Sequence, residues 1–272
     1  MALNTNDITV TSLETITAFD PTTGDFLWVL DELQDATISN DEETTDITGK
    51  QGRLLNTLKR NKSVTISGNN GLLSGGLMAT QTGGTFETKD DAEILWTDYL
   101  TVTSNKATTT FTAIGTTGKE IQDLYVKNED NTIGETLEQA ATAASGKFAY
   151  NPTSKQLTFS GIEDGTPIVV YYKRKIKADV LENVSDHYSQ KATLYIDAFG
   201  EDRCAKVFHV QFYVPVADFN GTFEINMGDD QAVHAFEARS LSSSCSTSGA
   251  AKLWTYTIFG EDAEDADSTV TP

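Results

Sequence analysis

Between Pro167 and Phe259 apolar and polar residues alternate in runs of strand length, separated by short turn sequences. In Thr193-Leu194-Tyr195-Ile196-Asp197-Ala198-Phe199 and in Val207-Phe208-His209-Val210-Gln211-Phe212-Tyr213-Val214 one face is consistently apolar and the other is mixed. A period of two sends successive side chains to opposite faces, so this part of the chain is constrained to an antiparallel sheet with one covered side. The pattern predicts strands at Pro167–Lys177, Gln190–Phe199, Ala205–Val214, Gly221–Met227, Gln231–Ala238 and Lys252–Phe259. Turns are expected at Gly200–Asp202, Asn220–Gly221 and Gly228–Asp230, the first closing a hairpin.

The preceding residues continue the theme less cleanly. Ile8, Val10 and Ser12 alternate, and the register then shifts near Leu13 before Ile16 and Ala18. Asp20-Pro21-Thr22-Thr23-Gly24-Asp25 is a turn signal, and Phe26–Leu30 is a second strand. Residues 39–49 are acidic and short of apolar side chains, which suits a long exposed loop or hairpin arm. Strand character resumes from Gly52 to Ser67. Leu72, Leu73, Leu77, Met78 and Thr80 have helical spacing and predict one short helix, weakened by Gly75-Gly76 at about 1 kcal/mol per glycine and ended by Gly83-Gly84. Strands are expected at Ala92–Thr103 and Ala107–Ile114, a helix or a loop at Glu135–Ala144, and a hairpin at Phe148–Phe159.

Composition narrows the function. The chain has 272 residues and a formal net charge of -20, from 40 acidic and 20 basic residues. Wrapping nucleic acid needs a basic footprint, which this chain lacks. The charge is also segregated. Residues 1–49 hold eleven acids and no Lys or Arg, Lys50–Lys62 holds five bases and no acid, and Glu261–Pro272 holds five acids and no base. Acidic Asp41, Glu42, Glu43 and Asp46, and basic Lys50, Arg53, Lys59, Arg60 and Lys62, are therefore candidates for complementary contacts between copies. The same segments could instead pair within one subunit or face water. Lys173, Arg174 and Lys175 lie in a basic strand, which suits either a bridge between subunits or a solvated edge guarded against aggregation. Cys204 and Cys245 have no CxxC spacing and predict neither a disulfide framework nor a zinc site. With no signal-peptide pattern and no membrane-length apolar run, a soluble product made in a cytosol is expected.

The motifs that could carry chemistry fail on inspection. Gly115-Thr116-Thr117-Gly118-Lys119-Glu120 is two positions short of a phosphate loop and has Glu120 where Ser or Thr should hold magnesium. Ser185-Asp186-His187 places triad residue types too close together to aim at one another. His209 and His234 lack metal-ligand spacing. Asp41-Glu42-Glu43 and Asp229-Asp230 lack the spacing of a calcium loop. The sequence thus predicts no enzyme, cofactor or metal.

A family resemblance fits the remainder. Thr48-Gly49-Lys50-Gln51-Gly52-Arg53-Leu54-Leu55, Arg60-Asn61-Lys62-Ser63-Val64-Thr65-Ile66-Ser67 and the short helix resemble the front half of phage major tail tube proteins. Val169-Val170-Tyr171-Tyr172-Lys173-Arg174, the hairpin near Gly200, the stretch from Phe223 to Ala238, and Leu253-Trp254-Thr255-Tyr256 before an acidic end are similar to the back half. The resemblance implies a mainly β fold of two packed antiparallel sheets, sandwich- or barrel-like, with a short flanking helix. It implies a β-sandwich domain over 1–260, an extended inter-ring loop at 39–52, a surface insertion at 115–165 and an acidic tail at 261–272. The implied role is structural: homohexameric rings stack into the tail tube of a siphovirus-like virion. Phage DNA then crosses an electronegative bore without specific binding, and tape measure, tail terminator and distal tail proteins are partners. Two other readings compete. One is a capsid decoration or head–tail joining protein; the other is a carbohydrate-binding β-sandwich with Trp28, Trp96 and Trp254 along a groove.

Overall fold

The computed structural model describes residues 7–128, 130–225, 233–242 and 252–259. Sixteen strands and one α-helix follow in chain order. These are β1 (Thr9–Phe19), β2 (Phe26–Leu30), β3 (Leu33–Thr48), β4 (Leu54–Asn70), α1 (Gly75–Thr82), β5 (Phe86–Thr101), β6 (Lys106–Thr108), β7 (Ile121–Lys127) and β8 (Ile133–Thr136). They continue with β9 (Glu138–Gln139), β10 (Lys147–Asn151), β11 (Gln156–Thr158), β12 (Pro167–Leu181), β13 (Lys191–Glu201), β14 (Val207–Phe219), β15 (His234–Ser240) and β16 (Thr255–Phe259). The chain divides into two compact units, Met1–Phe86 with Leu181–Pro272, and Glu87–Val180. The expected insertion at 115–165 falls inside the second unit, whose bounds are wider.

The first unit is built on one eight-stranded sheet in the order β2-β1-β13-β14-β15-β4-β3, with β16 paired to β14. Alternation in β13 buries Ala192, Leu194, Ile196 and Ala198 and turns Tyr195, Asp197 and Phe199 outward. The sheet curls, so that Ala36 and Ile38 of β3 pack on the same core as Ile16, Leu194, Ile196, Val214 and Phe236. The shift near Leu13 is real: the β1–β13 register breaks between Val10 and Ser12 and between Leu13 and Thr15, as bulges do.

Helix α1 closes one part of this core. Ser74 caps it by accepting from the Leu77 backbone N–H at 3.3 Å, and Gly83 ends it at φ 72°. The glycine pair that weakens the helix has a packing reason. A Cβ on Gly76 would lie 2.6 Å from Trp28, whose indole N–H donates to Thr80 Oγ1 at 2.9 Å. His234 fastens the helix from the other side. Its Nδ1 accepts from the Ser74 N–H at 3.3 Å, and its Nε2 lies 2.8 Å from Gln81 Oε1. With Nδ1 accepting, the proton sits on Nε2 and the ring is neutral. Burial holds the His234 pKa below its ordinary 6.5.

The second unit holds two four-stranded sheets, β6-β11-β10-β9 and β5-β12-β7-β8. Its core gathers Val102, Leu124, Phe148, Leu157, Ile168, Val170 and Tyr172. A buried carboxylate organises it. Asp98 accepts from Thr110 N at 2.7 Å, Thr110 Oγ1 at 2.8 Å, Trp96 Nε1 at 3.0 Å and the Tyr172 hydroxyl at 2.7 Å. Burial alone would raise the Asp98 pKa, but these bonds outweigh it and hold the group below its ordinary 3.8. Burial, and then the bond to Asp98, push the Tyr172 hydroxyl up.

Several expectations are corrected. The fold is mainly β, but not two packed antiparallel sheets: there are three sheets, and β9 and β10 pair in parallel. The strand expected at Ala107–Ile114 stops at Thr108. Beyond it, the backbone N–H groups of Thr110, Phe111 and Ala113 go to the side chains of Asp98, Tyr172 and Tyr150 instead of a ladder. Glu135–Ala144 is no helix; it contributes to β8 and β9. Strand β13 runs through Gly200, and the hairpin turns on Asp202, whose carboxylate accepts from Cys204 N and Lys206 N at 2.8 and 2.9 Å. Gly221–Ile225 makes a single bridge, Ile225 to His234. Met227, the Gly228–Asp230 turn, Cys245 and the acidic tail lie outside the described residues.

Candidate functional site

The acidic and basic segments at residues 39–62 come together as the two strands of one hairpin. The β3–β4 register pairs Asp41 with Ser63, Glu43 with Arg60, Thr44 with Lys59, Asp46 with Thr57 and Thr48 with Leu54. Gln51 and Gly52 turn the chain at φ 65° and 73°, and Gly49 N donates to Arg53 O at 2.7 Å. At its base the hairpin belongs to the sheet, with Val64 and Ile66 buried. Beyond that, no residue from Asp41 to Ser63 is buried. The expected loop at 39–52 is thus one strand and the tip of a solvated β arm.

Part of the arm's charge is internally matched. Lys59 Nζ lies 2.9 Å from Glu42 Oε1, Asn61 donates to Glu43, and the Thr57 hydroxyl donates to Asp46 at 2.9 Å. Lys50, Arg53, Arg60 and Lys62 form no ion pair among the described residues. The tip also carries apolar side chains: Ile47, Leu54 and Leu55 are 40%, 56% and 58% exposed. The strand character expected from Gly52 to Ser67 is present, since Leu54 and Leu55 open β4. Their position inside a basic, acid-free segment was the available sign that no core surrounds them.

The basic strand is different. Lys173, Lys175 and Lys177 face Glu93, Asp91 and Asp90 of the adjoining β5 at 3.8, 3.1 and 3.0 Å. Arg174 points the other way, its guanidinium carbon 4.3 Å from the Trp96 ring centre and 3.6 Å from that of Phe111. Lys173, Arg174 and Lys175 are thereby engaged within the chain. Exposed pairs of this kind contribute about 0–1 kcal/mol each.

The sheet of the first unit is not closed. Strand β2 pairs only Ile16–Phe19 of β1, leaving Thr9–Thr15 without a partner on that side among the described residues, and β3 forms the opposite edge along sixteen residues. Unpaired edges of this length invite pairing with another chain. The face away from the core carries an aromatic row, with Phe19 5.7 Å from Tyr195 and Tyr195 4.9 Å from Tyr213. His209 lies between Phe199 and Phe259, at 4.4 and 5.3 Å. Residues 9–19, 193–199 and 207–219 contain no Lys or Arg.

Other candidate chemistry finds no support. Trp28 is buried in the first core and Trp96 packs on the second, which corrects the reading of the tryptophans as an open groove; Trp254 is 37% exposed. His187 sits in a turn, its N–H bonded to Val184 O at 3.2 Å. Glu120 accepts from Gly118 N and Gln139 Nε2, an arrangement for closing a turn. Asp229-Asp230 lie outside the described residues.

Comparison with known families matches residues 9–252 to a family model described as the YomU/Tube protein family. No curated protein matches the chain.

Proposed function

We propose, because this chain belongs to the YomU/Tube protein family, that its copies build a phage tail tube from stacked hexameric rings. Membership supports a structural tail tube protein; the ring, the stack and the bore are inferred from physical argument. Within a ring, the free edge of β3 would pair with the free β1 edge of the next copy, closing six curled sheets into one wall without exposed edges. Between rings, the arm carrying Asp41, Glu42, Glu43, Asp46, Lys50, Arg53, Lys59, Arg60 and Lys62 would reach the adjacent layer. The absence of Lys and Arg from the three central strand segments suits a surface that DNA slides past, since phosphate binding needs cations. The net charge of -20 adds a weak repulsion. In a siphovirus-like virion, tape measure, tail terminator and distal tail proteins would meet this tube at its bore and ends.

The observation that carries this reading is a sheet with two edges unpaired among the described residues and an arm bearing no buried residue from 41 to 63. Negative-stain imaging of the purified protein tests it. Tubes with six-fold annuli in end view are expected, and a compact monomer at high concentration would sink the reading.

A further inference from the structure

The outer face of the first unit's sheet holds a cavity of about 620 Å³, lined by Phe19, Asp20, Tyr195, Asp197, Gln211 and Tyr213 among others. Its aromatic wall has a corner. Phe19 stands at 89° to Tyr195 with ring centres 5.7 Å apart, and Tyr213 lies 4.9 Å from Tyr195. Rings set nearly at right angles present π faces from two directions, which suits an ammonium group. The charge of the cavity has one sign. Among the described residues no Lys, Arg or His lines it, and Lys191, the next outward side chain of β13 beyond Thr193, is not part of its wall. Neither Asp20 nor Asp197 forms an ion pair among the described residues. Asp197 accepts from Gln211 Nε2 at 2.8 Å, and the backbone N–H groups of Thr23 and Thr22 hold Asp20 below its ordinary 3.8.

Spacing decides which cation fits. Thr15, opposite Asp197 in the sheet, precedes Asp20 by five residues, and Thr17, opposite Tyr195, lies between. At roughly 3.3 Å per residue, the two acids stand on the order of 15 Å apart with the aromatic wall between them. A metal ion or a single ammonium group reaches one acid only. We propose that this cavity binds a linear aliphatic polyamine. One terminal ammonium meets Asp197 beside Tyr213, the other meets Asp20 in the corner made by Phe19, and the methylene chain lies along Tyr195. The order acid, aromatic, acid in the cavity repeats the order ammonium, methylene chain, ammonium in the ligand. The assignment stands on this cavity alone and does not depend on the tube reading.

Isothermal titration of the full chain with spermine tests this, since the outer ammonium groups of that tetraamine match the span between the acids. One saturable site per chain is expected, at least about ten-fold tighter than for 1,4-diaminobutane, which is too short to reach both carboxylates. Asp197→Asn is expected to weaken spermine binding at least about ten-fold with circular dichroism and melting unchanged. Asp164→Asn removes the same charge from an exposed loop outside the cavity and should weaken it less than about two-fold. Tyr195→Leu should also weaken it, and unaltered affinity in a folded Tyr195→Leu chain would remove the aromatic wall from the site. Equal losses in the two Asn variants, or an isotherm that never saturates, would overturn the proposal. Spermine would then be a diffuse counter-ion of a chain with net charge -20. Displacement of spermine by magnesium at equal total charge would overturn it in the same way, because a hydrated metal ion gains little from the rings. Absence of binding to the unaltered chain would end it outright.

Discussion

The arm of β3 and β4 and the β5–β12 pair are both solvated two-stranded ladders with acids on one strand and bases on the other. In the second, each lysine of Lys173, Lys175 and Lys177 finds a carboxylate across the ladder, and the opposite face rests on the core through Arg174, Trp96 and Tyr172. In the first, four of five cations make no ion pair among the described residues, and apolar side chains crown the tip. Charge segregation along a chain is common to both and discriminates neither. What separates a self-satisfied ladder from one with unmatched cations is whether a core lies behind it.

The largest expected effect probes the core behind the second ladder. Asp98→Ala leaves the Tyr172 hydroxyl and Thr110 N–H without their acceptor and should cost about 3–5 kcal/mol in chemical denaturation. A loss below about 1 kcal/mol would mean the second ladder needs no such anchor.

Next comes the arm. Lys50→Glu with Arg53→Glu should shorten or abolish polymers while changing monomer stability by less than about 0.5 kcal/mol, as surface changes do. Sedimentation and thermal melting of the same sample separate the two effects.

The two units should also part in acid. His234 has a folded pKa below 6.5. Its contribution is complete above that value and declines as pH falls through it toward the folded pKa, because the unfolded chain takes up the proton first. Asp98, held below 3.8, keeps its contribution until pH drops under that value. Hydrogen exchange followed down the pH scale should therefore show α1 and β15 opening before β5 and β12. His234→Gln should flatten the earlier phase, and simultaneous opening would contradict the scheme.

Smaller effects concern exposed charge. Like-charged subunits repel, so polymers should weaken at very low salt; equal stability across a salt series in sedimentation would count against an assembly opposed by its own charge. Lys173→Ala and Lys175→Ala should each cost under about 1 kcal/mol and leave assembly intact.

Legibility followed the range of the interaction. The strands at Pro167–Lys177, Gln190–Phe199, Ala205–Val214 and Lys252–Phe259, the shift at Leu13, the short helix and the solvated segment after Ser39 were readable because period, propensity and turn residues are local. Thr110–Ala113 looked like a strand because nothing nearby in the sequence shows that Asp98, Tyr172 and Tyr150 will take the N–H groups of Thr110, Phe111 and Ala113. The site was half legible. The arm's charges stood out, while the internal matching of Lys173 and Lys175 did not.

The order of residues by itself determined a β-rich chain, an excess of acidic over basic residues and a solvated charged segment, since each follows from composition or from neighbours within a few positions. Only the tertiary structure decided that one basic strand is satisfied at home and the other is not, because that depends on which carboxylates the sheet registers bring opposite each lysine. It alone also decided that the first sheet curls short of closure, leaving two edges unpaired among the described residues, because curvature arises from twist and bulges summed over many strands.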